Sequence, residues 1–358
     1  MSRDLVFVSA GLDLDGGGRA LAGRLLESAC EEFARARGLG MSVLALGHGG
    51  GPERTRYFGT DQRRLAAAVW RRQFEDPLSP AVFDLLGPAR LQAWLPSRWR
   101  SPYLIPLYGI EIWRPLSWDR RRALSRAAVR FAISRHTVER ALPFCPELAG
   151  TPVVPLALEE RPAEGAVDAG LLRRLGQGFL LIVGRMASGE RYKGHEQILE
   201  ALPHLPEARL VVAGDGDDRP RLAARAADLG LARRVTFTGF VSEATLLELY
   251  RRAAVFAMPS LGEGFGLVYL EAMRAGKPCL AARGSAAEEV VVDGETGLLV
   301  DQGEPGELIA ALRTLLASPE AARWMGEAGR RRWRSEFGTD RFRARLEPLL
   351  ARLTSGGA

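Results

Sequence analysis

At 358 residues the chain exceeds what one hydrophobic core comfortably organises, so two domains are the default. Its 47% hydrophobic and 26% charged residues suit a globular protein and exclude disordered, collagenous and membrane-spanning classes, for no apolar run nears the ~20 residues of a span. The net charge of +6 favours anionic partners such as nucleoside diphosphates, phospholipid or nucleic acid without choosing among them.

Arginine almost replaces lysine, which occurs only as Lys193 and Lys277. This reads as GC-rich coding bias, in which case much of the positive charge reports the genome rather than a surface. Cys30, Cys145 and Cys279 are odd in number and form no CxxC, as expected of reduced structural thiols in a cytosolic protein. The apolar run in the opening MSRDLVFVSAG is too short for a signal peptide. His48, His136, His195 and His204 show no metal-ligand spacing, so no structural metal is expected.

In chain order, Leu5 to Ser9 reads as a buried strand, followed by the loop AGLDLDGGG and a helix from Arg19 to about Ala36. The glycines before Arg19 suit close approach of backbone N–H groups to a phosphate. Leu21 stands where a dinucleotide-binding GxGxxG needs glycine, which weakens an oxidoreductase reading. Asp13 and Asp15 form a DxD in a loop of the wrong kind for a metal-bound donor and read as solvated acids. Met41 to Leu46 is a second strand, and GHGGGPERTRYFG after it a mobile-looking loop. From Asp61 to Trp99 arginines mix with Trp70, Phe74, Trp94 and Trp99. That mixture makes either a membrane-surface or acidic-acceptor patch, or two helices with aromatics in the core and arginines in solvent. The missing clean polar face favours the second.

Tyr103 to Leu107 is strand-like and ends in Tyr108, Gly109, Ile110 and Glu111, a loop that opens into a cleft by position. Glu111 either orients an acceptor or caps its own loop. A basic helix follows from Arg120 to Arg130, then a strand from Val129 to Ser134, and the Pro-, Glu- and Gly-containing segment from Glu159 to Asp168 is the best linker.

Phe179 to Val183 opens the second half as a buried strand, with Arg185 and Lys193 flanking the loop to the next helix. In such a loop cations and helix N–H groups converge on a diphosphate. His195 reads as a local packing residue. Arg209 to Ala213 is a strand, and Asp215, Asp217 and Asp218 after it read as caps of a helix from Arg219; Val235 to Thr238 is another strand. The apolar run Ala253 to Met258 then passes through Gly262, Gly264 and Gly266 into a helix carrying Leu267, Leu270 and Met273, stopped by Gly276 and Pro278. Free N–H groups of its first turn, around Phe265 to Leu267, attract an anion. Glu263 and Glu271 frame this turn and suit vicinal hydroxyls. A short strand, a turn-helix near Ser285 to Val290, a strand from Gly297 to Val300 and a helical remainder from Pro305 complete the chain.

The motif Glu263-x7-Glu271, embedded as EGFGLVYLEAMRAGKP, resembles the signature of the retaining GT-B glycosyltransferases of the group 1 family, glycosyltransferase family 4. Supporting it are GR followed by YKG at Arg185 to Gly194 and YGIEIW at Tyr108 to Trp113, where relatives read HGIE. The resemblance implies that Glu263 contacts donor-sugar hydroxyls, the amides of Gly264, Phe265, Gly266 and Leu267 contact sugar and diphosphate, and Glu271 holds the ribose. It places Arg185 and Lys193 on the diphosphate, Gly17 and Gly18 near it, and Val241 at the nucleobase. Tyr108 stands at the position of a histidine beside the transferred sugar; a phenol there donates a hydrogen bond but is no useful base near neutral pH.

Alternating strands and helices, with the resemblance, imply an α/β GT-B fold of two Rossmann-like doubly wound domains facing a cleft. Residues 1–163 form the acceptor domain and 164–336 the nucleotide-sugar domain, with about 337–358 crossing back as a C-terminal helix. The expected activity is metal-independent, retaining transfer of a sugar from a nucleoside-diphosphate sugar to an acceptor hydroxyl on a glycan, glycolipid or small-molecule glycoside. No cofactor and no nucleic-acid partner are expected. The expected location is cytoplasmic, with peripheral membrane contact through the N-terminal domain as an option. The alternatives are an inactive nucleotide-sugar-binding subunit and a nucleotide-sugar epimerase on the same architecture.

Overall fold

The computed structural model describes residues 4–11, 17–49, 54–160 and 163–355. Asp13, Asp15 and Gly16 lie outside them. Contacts divide the chain into two units, one running to Ala157 and resuming at Thr339, the other Leu158–Gly338. The crossings fall a few residues from the linker suggested by composition because Leu158 is already tied to the second unit. Its N–H donates to Phe337 O at 3.0 Å, and its carbonyl accepts from Trp333 Nε1 at 3.1 Å.

The first unit runs β1 (Leu5–Ser9), α1 (Gly18–Ala36), β2 (Met41–Ala45), β3 (Thr55–Tyr57), α2 (Gln62–Glu75), β4 (Ala81–Phe83), α3 (Leu86–Ala89), β5 (Tyr103–Leu107), α4 (Trp118–Arg126), β6 (Val129–Ala132) and α5 (Arg135–Ala141). The second runs α6 (Ala169–Leu175), β7 (Phe179–Val183), α7 (His195–Ala201), β8 (Leu210–Ala213), α8 (Arg219–Asp228), β9 (Val235–Gly239), α9 (Glu243–Arg252), β10 (Ala253–Met258), α10 (Leu267–Arg274), β11 (Cys279–Ala282), α11 (Ala287–Val290), β12 (Gly297–Val300), α12 (Pro305–Ala317) and α13 (Pro319–Glu336). The last helix, α14 (Thr339–Thr354), returns to the first unit. There it buries Phe342, Leu346, Leu350 and Leu353, and Arg343 pairs with Glu32 of α1 at 2.9 Å.

Each unit holds a six-stranded parallel sheet, ordered β3-β2-β1-β4-β5-β6 in the first and β12-β11-β10-β7-β8-β9 in the second. Strands buried on both faces read as unbroken apolar runs, as in LVFVS and FLLIV. In both sheets the chain winds outward from two neighbouring inner strands, β1 beside β4 and β7 beside β10. Such a reversal leaves a crevice at the carboxyl ends of these strands, where open α/β sheets take their ligands.

Two local expectations are corrected. The stretch from Asp61 to Trp99 holds one long helix, α2, then β4, α3 and two single turns at Arg90–Ala93 and Ser97–Trp99. Its aromatics do not all enter the core, for Phe74 is 50% and Trp94 62% exposed. The acids before α8 do not cap it: Asp218 makes no side-chain cap bond and instead accepts from Arg221 Nε at 2.8 Å and Arg191 Nη2 at 3.2 Å.

α10 is seated by glycines of α13. A Cβ on Gly326 would overlap the Gly276 carbonyl just past the end of α10, and one on Gly329 would lie 3.1 Å from Met273 Cγ. Gly326→Ala should therefore lower stability by about 1–3 kcal/mol, read as a lower melting temperature. Gly306→Ala, where an added Cβ meets nothing, should leave melting unchanged or slightly raised.

Candidate active site

Four loops gather at the carboxyl ends of β7 to β10 because glycines let their backbones touch. A Cβ on Gly214 would overlap Gly184 O, and one on Gly216 would overlap Met186 O. Met186 N donates to Asp215 O, and Asp218 N to Met186 O, both at 2.9 Å. Asp217 takes the N–H of Ser188 at 2.9 Å and its hydroxyl at 2.6 Å. These bonds fix the turn Ser188–Lys193, which carries the cations.

That turn docks in addition on the loop after β10. The Tyr192 ring occupies the space a Cβ on Gly262 would need. Leu261 N donates to Tyr192 O at 3.1 Å, and Gln302 Nε2 reaches the same carbonyl at 2.8 Å. Gly194, left-handed at φ +85°, brings Pro259 against the start of α7.

The charges are arranged around Glu190. Its carboxylate pairs with Lys193 Nζ at 2.9 Å and with the Arg185 guanidinium, which holds its carboxyl below the usual range against the opposing effect of burial. Lys193 is 15% exposed at the side chain and Arg185 59%. His195 beside them is buried, its Nε2 without a partner, and burial with the neighbouring Lys193 charge pulls its pKa down to about 4. It is neutral at neutral pH.

Gly266 caps α10 in a left-handed conformation at φ +92°, and its missing Cβ leaves room for the Tyr269 ring. No side chain caps this helix and no acid lies in its first turn, which leaves the positive end of the helix open toward an anion. Phe265 is buried, and Tyr269 anchors the turn through a 2.5 Å bond to Met258 O. Glu263 accepts weakly from Ser260 Oγ at 3.4 Å, and burial raises its carboxyl, with the Lys193 charge opposing. Glu271, one turn into α10, accepts from Tyr250 Oη at 2.7 Å, and burial raises it too. Val241 follows β9 next to Phe240, which is 83% exposed. Phe240 was not singled out from sequence; one aromatic after a strand carries no periodic signal.

The first unit has its own polar group at the ends of β1, β4 and β5. Asp84 accepts from Ser9 Oγ at 2.5 Å and from Ala10 N at 3.1 Å, and burial pushes its pKa up to about 6. Tyr108 follows β5; burial, then the charges of Asp84 and Glu111, keep its phenol protonated. Glu111 accepts from Tyr108 N at 2.6 Å and is itself raised by burial. The charge of Arg19, in the first turn of α1, opposes the rise of both carboxyls. Gly17 is the N-cap of α1 without a capping side chain, and Gly18 begins the helix. Asp84 was missed in the sequence because a lone acid after a three-residue strand gives no pattern; its partner Ser9 is 75 residues away.

Both units thus have the doubly wound architecture of a GT-B fold. Residues 168–332 match the model of the family described as glycosyl transferases group 1. Among curated relatives, it is 35% identical over 245 residues to the GDP-mannose-dependent alpha-(1-6)-phosphatidylinositol monomannoside mannosyltransferase of Mycolicibacterium smegmatis, covering 64% of each chain. It is 35% identical over 202 residues to the D-inositol 3-phosphate glycosyltransferase of Xylanimonas cellulosilytica, covering 54% of this chain and 48% of that protein. The matches thus span about half to 64% of those relatives' lengths. Among solved structures, the sucrose-phosphate synthase of Thermosynechococcus elongatus superposes with a TM-score of 0.80 at 20% identity, over 99% of this chain and 100% of that one. Anabaena Alr3699/HepE in complex with UDP and glucose gives 0.77 at 20% identity, over 98% and 99%.

Asp84 gives a testable pH signature. Its pKa is raised on folding, so its contribution to stability is full below about pH 4 and lost as pH rises through about 6. Asp84→Asn should remove this loss: the variant's melting temperature should gain on wild type across that window and run parallel to it above pH 7.

Proposed function

We propose that the chain is a retaining glycosyltransferase that moves a sugar from a nucleoside-diphosphate sugar to a hydroxyl of a glycan, glycolipid or small-molecule glycoside. The observation that supports this reading is that Arg185 and Lys193, on the loop after β7, and the uncapped start of α10, after β10, follow the ends of neighbouring strands. Two cations and a ring of backbone donors suit a diphosphate. Glu271 lies one turn deeper, where a ribose attached to that diphosphate would offer its hydroxyls, and Glu263 serves the hydroxyls of the sugar. The UDP and glucose bound by the Anabaena neighbour on this fold support the same assignment.

Transfer breaks the bond from the anomeric carbon to the diphosphate oxygen and forms one to the acceptor oxygen. Negative charge grows on the leaving diphosphate, so Arg185, Lys193 and the α10 amides are worth most in the transition state. With cations in that role the reading needs neither metal nor cofactor. In the same reading attack comes from the face the diphosphate leaves, and a leaving phosphate oxygen takes the acceptor proton, which preserves the anomeric configuration. Tyr108, protonated throughout the neutral range, donates a hydrogen bond rather than acting as a base. Asp84 and Glu111 supply acceptors for hydroxyls in the first unit.

Lys193→Ala should lower kcat by about 100- to 1000-fold with donor and acceptor in hand, while the fold is retained by circular dichroism. The product anomer, read by proton NMR, should match the donor. An inverted product would end the retaining mechanism, and nucleotide binding without turnover on any acceptor would make the chain a donor-binding subunit instead.

A further inference from the structure

In the first unit, α2, the turns Arg90–Ala93 and Ser97–Trp99, and α4 form one continuous face. Trp70 Nε1 of α2 donates to Leu91 O at 3.4 Å, and the Phe74 ring meets Trp99 edge-on at 5.2 Å. Arg122 Nε and Arg126 Nη1 of α4 donate to Ala93 O at 3.1 and 3.3 Å. These bonds bring Trp94 against Trp118, edge to face at 5.0 Å. Two aromatic pairs therefore share the face, yet Phe74, Trp94 and Trp118 are 50, 62 and 57% exposed. Rings that contact each other while leaving half their area in water are an unspent apolar surface.

The charge around them is one-sided. Residues 61–126 hold twelve arginines against six carboxylates, a surplus as large as that of the entire chain, so the rest of the sequence is balanced. Coding bias would have spread the excess. Asp84 and Glu111 belong to the strand ends, Glu75 is engaged by Arg71 at 2.9 Å, and Asp119 by Ser117 Oγ and Arg120 N. The guanidinium of Arg98 lies 3.9 Å over Trp99 and that of Arg122 5.3 Å over Trp118. Arg100 Nη1 is buried without a partner, and after desolvation the like charges of Arg100 and Arg122 pull Arg126 down.

We propose that this face docks on an anionic lipid bilayer, with Phe74, Trp94 and Trp118 entering the headgroup region and Arg98, Arg122 and their neighbours meeting lipid phosphates. Tryptophans carrying cations on their rings are the chemistry of a membrane–water interface, where the ring is half dry and the guanidinium stays wet. The core of a protein–protein patch is instead depleted of charge. The docking deepens the transferase reading by giving the acceptor a lipid setting, and its test needs no turnover. Loss of vesicle binding with nucleotide binding intact would sink only the docking; the reverse would sink only the transferase.

The test is cosedimentation of the purified full chain with vesicles of phosphatidylcholine mixed with phosphatidylglycerol, beside vesicles of phosphatidylcholine alone. Binding should require the anionic lipid, weaken with added salt, and fall about tenfold in Trp94→Ala/Trp118→Ala and in Arg98→Glu. Trp324→Ala, removing a 55% exposed ring from the second unit, should bind as wild type. Since Trp94 and Trp118 are mostly in water, their loss should leave the melting temperature in place. Equal binding by the double variant, no binding at all, or a concentration-dependent dimer that the double variant dissolves would each overturn the proposal, the last by assigning the face to a second copy.

Discussion

One carboxylate between two cations sets the character of the second unit. Glu190 holds Lys193 and Arg185 side by side, and without it two like charges at one strand end would repel. The two bonds are unequal. Lys193 is mostly withdrawn from water, so its pair is costly to break unless another anion arrives, whereas the exposed Arg185 pair contributes little and exchanges readily. A diphosphate would meet one cation already fixed and another, more exposed, within reach of it.

The fixing of Lys193 is a backbone matter. The turn that bears it is gripped on one side by the acids after β8 and on the other by the loop after β10, through Tyr192 packed on Gly262. Side chains at Gly214, Gly216 or Gly262 would push these loops apart. Gly266 takes the left-handed turn that starts α10, its missing Cβ leaving room for the Tyr269 ring, and Gly326 lets α13 close on the end of that helix. The four loops form one cup, in which burial shifts Glu263, Glu271 and His195 toward neutrality while Glu190, between its two cations, stays charged.

Much of this was legible in the sequence, for a physical reason. Strands covered on both faces must be apolar throughout, so LVFVS, FLLIV and AAVFAM announced the sheets. Glycine at 262, 264 and 266 announced the turn. What depends on distant partners was not legible. Glu190 carried no signal of its own, and Asp217 and Asp218 read as caps until the fold brought Ser188 and Arg191 to them. Asp84 meets Ser9 only because β1 and β4 are neighbours. Trp94 and Trp118 gave no sign of their exposure, since one follows a single turn and the other opens a short helix, and neither setting has the periodicity from which to read an inside and an outside. The strands β3, at the sheet edge, and β4, inside it, have three residues each and fell below what alternation can reveal.

The central claim is that the cup in the second unit is built for a nucleoside diphosphate with its ribose on Glu271. It is tested most directly by calorimetric titration of UDP, GDP and ADP into wild type and Glu271→Gln. The account predicts that one nucleotide binds and that the substitution weakens it by about 10- to 100-fold, as expected for hydrogen bonds to a charged acceptor. Failure of all three to bind, or equal binding by the variant, would contradict it.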